Sequence, residues 1–478
     1  MAANFLHGVE TVEILKGPRP IRQVKTAVVG LIGTAPTGPL NTPTIVLSER
    51  DAAAFGEAQY ASGYTIPQAL DAIFDQGAGT VIVINVCNPA THKQAVTNET
   101  VTLDAVTGVG KLAKTYVSAV VVKSEDLATP YVLDTDYTLD AAAGTITRKP
   151  GGAIASGATL KVSYEHVAPN LVTSSDIIGT VTAGGDRTGI KALDDTYNRF
   201  GFNAKLILAP VYGTLTAVST ELIAMAHKLR GMAIIDAPIG VTVQQAVEGR
   251  GPAGSINFNT SSERAILCYP HLKVFDAATG AERLEPMSQR LAGVICRKDA
   301  DNGYWWSPSN TEIMGITGVE RPITGRINDP QSEANLLNEN GIVTVFNSFG
   351  TGLRAWGNRS AAWPSMTHPR NFINVRRTAD VLHESVEYSM LQFIDAPIDD
   401  GLIDAVKESV NGFIRTLIAR GALIDGACTY DPAKNPPTEI ALGHLTFDVT
   451  FMPPTPAERI TFESFIDIGL LAKLGSQQ

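Results

Sequence analysis

The chain is 478 residues long, 44% apolar and 18% charged, which is long enough for several cores and too apolar for a disordered chain. Its 38 Lys and Arg against 48 Asp and Glu give a formal charge of -10, a balance that argues against a protein tracking phosphate backbones. The four cysteines, Cys87, Cys268, Cys296 and Cys428, are widely spaced, with no C-x-x-C pair, and "MAANFLHGVE" shows no secretory leader. They are expected as reduced, buried thiols of a cytoplasmic product. Apolar runs such as "VIVINVC", Val81 to Cys87, fall short of the roughly 20 residues that span a bilayer, so no membrane insertion is expected.

The first expected element is a strand-like arm, "HGVETVEILKG", closed by Gly17-Pro18-Arg19-Pro20. In an extended chain Val9, Thr11 and Leu15 point one way and Val12 and Ile14 the other, so neither face is purely polar. A lone strand leaves N–H and C=O groups unpaired, at about 1–3 kcal/mol each if buried without partners, so its partner is expected on another chain. "KTAVVGLIGTAPTGPLNTPTIVL" then predicts a buried strand from Ala27 to Ile32 and a second around Ile45. "TIPQALDAIFDQGAGTVIVINV" carries Leu70, Ile73 and Phe74 at helical spacing, a Gly77/Gly79 stop and an apolar strand, the pattern of an α/β layer. The same pattern returns in "GIKALDDTYNRFGFNAKLILAP" and "LTAVSTELIAMAHKLRGMAIIDAP", which end at Pro210 and Pro238.

Between them, from about Asn88 to Asn170, the chain turns to Thr, Val and Ala with turn punctuation. "ATLKVSYEH" alternates, with Leu160, Val162 and Tyr164 on one face, as in a small β-sandwich inserted into a loop. The last third predicts a helix from about Gly401 to Arg420. Leu402, Val406, Val410, Phe413 and Leu417 line its apolar face, and Asp404, Lys407, Asn411 and Arg415 its polar face. "HLTFDVTF" turns Leu445, Phe447, Val449 and Phe451 inward, and after three prolines a closing strand alternates through Ile460, Phe462, Ile466 and Ile468.

Signatures of catalysis are weak. "LHESVEY" sets His383 and Glu384 together on a helix, but Glu387 stands where a zinc-protease pattern needs its second His, so a solvated helix face is expected. "TAGGDRTG", Thr182 to Gly189, lacks both the Walker ending and the Rossmann glycine spacing and reads as a loop. Trp305, Trp306 and Trp356 are expected to pin loops. No catalytic residue, cofactor or metal site is expected.

"LAGVICRKDADNGYWWSPSN", "GTGLRAWGNRS" and "INVRRTADVLHESVE" resemble runs of the contractile tail sheath proteins of bacterial viruses, the last being similar to the strand-to-helix segment that opens the family's C-terminal domain. "LKVFDAATGAERLEPMSQR" resembles the hairpin before them, and "GALIDGACTYD" and "LTFDVTFMPPTPAERITF" follow in the family's order. "EPMSQ" stands where the family has a small-residue turn, and "WWSPSN" varies its W-x-A-P-A-N. The resemblance implies a structural subunit, not an enzyme. The expected fold is an α/β and α+β multidomain chain: a discontinuous α/β core, an inserted small β-sandwich domain, a C-terminal α+β domain, and extended N- and C-terminal strand arms. The expected units are arm 1–20, core 21–87 and 171–365, outward-facing insertion 88–170, tube-facing domain 366–459 and arm 460–478. Val9, Thr11, Val12, Ile14, Ile460, Phe462, Ile466 and Ile468 would link subunits by strand addition, and Lys407 and Arg415 are the candidates for contact with the tube. Implied partners are further copies in six-subunit rings, the tail tube protein, and baseplate and tail terminator proteins, with no nucleic acid. A sheath from a cell-derived contractile injection machine is the alternative, and an α/β enzyme with a β lid the remote one.

Overall fold

The protein is described here by a computed structural model covering residues 20–56, 63–77, 79–277, 279–348 and 350–474. Val9, Thr11, Val12 and Ile14 lie outside the described residues. The core begins with strands β1 (Val28–Gly33), β2 (Thr44–Val46) and β3 (Thr80–Asn85) and helices α1 (Glu49–Ala52) and α2 (Thr65–Phe74). The insertion carries β4 (Lys93–Thr102), β5 (Val109–Lys111), β6 (Val117–Ser124), β7 (Pro130–Tyr131), β8 (Tyr137–Asp140), β9 (Thr145–Arg148) and β10 (Thr159–Val167). The core then resumes with α3 (Ser174–Ile178), α4 (Thr196–Phe200), β11 (Leu206–Leu208), α5 (Thr216–Lys228), β12 (Met232–Asp236), α6 (Val243–Glu248) and β13 (Ala265–Cys268). A hairpin of β14 (Leu272–Asp276) and β15 (Ala281–Glu285) leads into α7 (Met287–Asp301), β16 (Thr311–Glu312), β17 (Gly318–Val319), α8 (Glu333–Glu339), β18 (Ile342–Ser348) and β19 (Gly352–Trp356). The chain closes with α9 (Ile373–Met390), α10 (Asp400–Ala419), β20 (Asp425–Tyr430), α11 (Pro437–Ala441) and β21 (Phe447–Met452).

One nine-stranded sheet, in the order β16-β19-β18-β13-β12-β11-β1-β3-β2, joins the two core segments. It is parallel from β3 to β18, with antiparallel strands at both edges. All six residues of β1 are buried because helices cover both faces, which is why these strands read as unbroken apolar runs. On one face lie Ile177, Val218, Leu222, Ala246 and Leu337. The other takes Ile66, Leu70 and Ile73 of α2 with Leu291, Val294 and Ile295 of α7. Those two helices touch at Gly293, where a Cβ would stand 2.7 Å from the Ile73 carbonyl oxygen.

The insertion forms two sheets, β4-β10-β6-β7 and β5-β9-β8, around a separate core to which Val122, Tyr137, Ile146, Leu160, Val162 and Tyr164 contribute. It rejoins the core at a narrow neck, where the Ala168 amide donates to the His92 carbonyl at 2.9 Å. The winding of the large sheet reverses between β1 and β11, and the crevice at such carboxyl ends is where open α/β sheets take ligands. Here the neck occupies it: the Tyr64 hydroxyl donates to the Val167 carbonyl at 3.1 Å and the Tyr212 hydroxyl to the Pro169 carbonyl at 3.3 Å. Tyr116 of the insertion packs edge-on against Tyr64, with ring centroids 6.1 Å apart.

All four cysteines are free and buried, and burial pushes the Cys87 and Cys296 thiols up to about 12. The amides of the Thr182–Gly189 loop are taken by protein groups: Thr182 donates to the Asp186 carbonyl at 2.8 Å, Thr188 to that of Thr180 at 3.0 Å, and Gly189 to the Asn41 side chain at 2.9 Å. Gly179, at φ +74°, sits so close that a Cβ would meet the Thr188 oxygen at 1.8 Å.

Two expectations need correcting, one for the head of the C-terminal domain and one for Glu384. The strand expected at the head of "INVRRTADVLHESVE" does not form, because α9 is helical from Ile373 onward and its periodicity sets Arg376 against Asp380 one turn away. Glu384 is not on a solvated face, since it is 6% exposed and paired with Lys205. The run through Ile460, Phe462, Ile466 and Ile468 makes no strand within the chain, and Ile468–Lys473 is a short 3-10 helix. Pro453, Pro454 and Pro456 have no N–H to donate, and among the described residues no strand lies alongside that run.

Candidate functional site

The C-terminal domain is built on α9 and α10. Val381, Leu382, Val410, Phe413, Ile414 and Leu417 form its buried centre, against which Phe447, Val449 and Phe451 of β21 pack. Asn411, expected on the polar face of α10, instead turns to the sheet. Its side-chain amide donates to the Cys428 carbonyl at 2.9 Å and its oxygen accepts from the Cys428 amide at 2.8 Å. That reciprocal pair fixes the helix to the middle of β20, a role the amphipathic spacing alone could not reveal.

The β20–β21 pair is a two-stranded antiparallel sheet with no further strand on either edge among the described residues. Two strands alone are marginal in water, and α10 supports this pair from one face. Asn411 already takes the Cys428 N–H and C=O of β20, so the main-chain groups able to accept an added strand are those along the outer edge of β21.

Each end of the chain leaves from a defined anchor. Residues 20–26 run along α9 and α10: the Val24 amide donates to the Ser385 hydroxyl at 3.1 Å, the Arg22 amide to that of Ser389 at 3.3 Å, and Arg420 donates to the Gln23 side chain at 3.1 Å. Ile21 and Val24 pack on the domain's apolar centre. At the other end, the Pro454 carbonyl accepts from the Asn374 side chain at 3.1 Å, and Glu458 pairs with Arg359. Beyond Glu458 the arm carries Ile460, Phe462, Phe465, Ile466, Ile468 and Leu474, all large, apolar and exposed, Phe462 at 88% and Ile466 at 95%.

Lys407 and Arg415 lie eight residues and about 12 Å apart along the axis of α10, Lys407 one turn before Asn411 and Arg415 one turn after it. Neither is a bare cation. Lys407 is half-buried and donates to Asp404 at 2.7 Å, a bond that raises its ammonium above the ordinary value. Arg415 is exposed and lies 3.7 Å from Glu408.

Family models match along the chain: "Phage tail sheath protein central domain" over residues 185–361, "Phage tail sheath C-terminal domain" over 366–467, and "Tail sheath protein Gp18 domain III N-terminal region" over 26–86. A model of a protein of unknown function matches 88–174. The tail sheath protein of Burkholderia phage BcepMu is 57% identical over 467 residues, 98% of both chains. The chain belongs to the phage tail sheath protein family. A putative prophage major tail sheath protein of Pseudomonas aeruginosa is 34% identical over 308 residues, 64% of this chain and 76% of that one. The fold also matches the helical sheath of the anti-feeding prophage, solved by cryo-electron microscopy in its contracted state. Its TM-score is 0.59 at 17% identity, covering 97% of this chain and 100% of that one. A tail sheath protein is structural, and within this one the sequence motif "GTGLRAWGNRS" contains Arg359 without revealing its partner Glu458, 99 residues away.

Proposed function

We propose that this tail sheath protein polymerises, through arms exchanged between copies, into a helical sheath of stacked six-subunit rings around a tail tube. Contraction of that sheath drives the tube through the host envelope for genome delivery. The observation that carries the reading is a long exposed apolar arm on the same subunit as a two-stranded sheet whose β21 edge has no strand beside it among the described residues. An arm from one copy completes the sheet of the next. Each added main-chain hydrogen bond is worth about 0.5–1.5 kcal/mol net. A head-to-tail contact that does not close generates an open helix. Contraction is then a rigid-body rotation of subunits with the arms as hinges, from one lattice to another. The anti-feeding prophage sheath of the same fold is known in a contracted state, which supports this step.

In this reading units 21–87 and 171–365 form the wall, 88–170 faces outward, and 366–459 faces the tube, with Val9, Thr11, Val12, Ile14, Ile460, Phe462, Ile466 and Ile468 in the connecting arms. Assembly takes place in the host cytoplasm, against a baseplate at one end and a terminator at the other. Lys407 and Arg415 touch the tube. Ion pairs on a helix surface are worth about 0–1 kcal/mol and are screened by salt, which suits a joint that must hold and then release. Co-expression with the tube protein tests the function. Wild type should give extended, tube-filled sheath, and Lys407→Glu with Arg415→Glu should give empty, contracted sheath. Extended tails unchanged in the variant would remove the two residues from the interface, and wild type that never encloses the tube would overturn the reading.

A further inference from the structure

We propose that Arg359 and Glu458 form a clamp that fixes where, and in which direction, the C-terminal arm leaves the subunit for a second copy of this chain. The inference rests on the exchanged-arm reading and adds a positioning device to it. Arg359 follows β19 and is held on several sides: its guanidinium carbon lies 3.9 Å from the Trp363 ring centroid and 4.4 Å from that of Phe372. It also donates to the Asn371 side chain at 2.9 Å. Its side chain is 15% exposed. Held in this way, the guanidinium presents a fixed fork, and Glu458 engages it with both oxygens, one at 2.9 Å from Nε and the other on Nη2. Bidentate pairing fixes angle as well as distance, which a single lysine contact would not do.

The clamp lies at the boundary between held and free chain. Pro453 is buried and Pro454 is tied to Asn374, whereas every described residue from Ala457 to Leu471 is exposed. Glu458 thus ties the arm to the body of the subunit at the point where the chain turns from buried to exposed. Without it the pivot moves back to Pro454, four residues earlier, adding up to about 13 Å of free contour and losing the launch direction. A longer, unaimed tether lowers the effective concentration of the arm at its neighbour's sheet.

Arg459, next to the clamp, is a trypsin site that reports on it. The test compares the full-length wild type with Glu458→Gln, Arg359→Lys and a chain ending at Glu458. Cleavage after Arg459 is followed by mass spectrometry in dilute, unpolymerised protein, and sheath length by electron microscopy. Glu458 is partly exposed, so Glu458→Gln should fold normally. It is expected to be cleaved roughly fivefold faster and to form fewer, shorter sheaths, with Arg359→Lys in between. Unchanged cleavage, or faster cleavage with sheaths of normal length, would overturn the clamp. If the chain ending at Glu458 forms no sheath while Glu458→Gln behaves as wild type, the clamp fails and the exchanged arm stands. If that truncated chain polymerises normally, the arm reading falls and the clamp with it.

Discussion

Lys205, 8% exposed, immediately precedes β11 and sends its ammonium to Glu384 of α9 at 2.5 Å and to the Leu229 carbonyl at 2.8 Å. Burial pulls its pKa down and the carboxylate opposes that pull. Around this pair Arg264 meets Asp380 through both guanidinium nitrogens at 2.6 and 2.8 Å, and Arg377 meets Asp299. The joint between the core and the C-terminal domain is therefore a seam of buried charges, each with its partner. Removing one partner of such a pair strands the other, so Glu384→Ala should destabilise the unpolymerised chain by about 3–5 kcal/mol in urea unfolding. Lys205→Met together with Glu384→Leu should cost far less. Equal losses in the single and double variants would contradict this account of the seam. None of it was legible in the sequence: Lys205 and Glu384 are 179 residues apart, and a helical Glu beside a His looks like solvent-facing polarity until the sheet is set against it.

Helix α10 and the insertion were readable because their burial is local and periodic. Val410, Phe413 and Leu417 are buried where helical spacing put them, and β10 alternates inward through Leu160, Val162 and Tyr164. Asn411 was misplaced because periodicity sorts residues by polarity and cannot see a hydrogen-bonding partner on another element. The closing run forms no strand within the subunit for a related reason: its alternation is real, but a strand exists only beside another, and the chain itself supplies none among the described residues. The insertion's first and last strands begin and end side by side, with Lys93 opposite Val167. Replacing residues 94–166 by a Gly/Ser turn of about four residues should therefore close a short hairpin and keep the Tyr64 and Tyr212 contacts to the neck. Such a variant is expected to assemble into sheaths that are slimmer in projection. Failure to assemble, from a variant whose core unfolds like wild type, would show that the insertion carries a lattice contact.

At the scale of the whole molecule, the two ends of the chain are anchored crosswise. The N-terminal segment leaves along α9 and α10 of the C-terminal domain, whereas the C-terminal arm leaves from the Arg359 side of the core. Between these exits the charged seam joins core and C-terminal domain, and the tyrosine-filled neck joins core and insertion, contacts that suit the proposed rigid-body rotation of subunits with the arms as hinges. The central claim is that the exposed arm of one copy completes the open sheet of another. Helical reconstruction of the assembled sheath by electron microscopy tests it most directly. The account predicts density for the Ile460–Ile468 segment running as a strand along the outer edge of β21 of a neighbouring subunit. The same segment folded back on its own subunit, with that edge bare in the polymer, would contradict it.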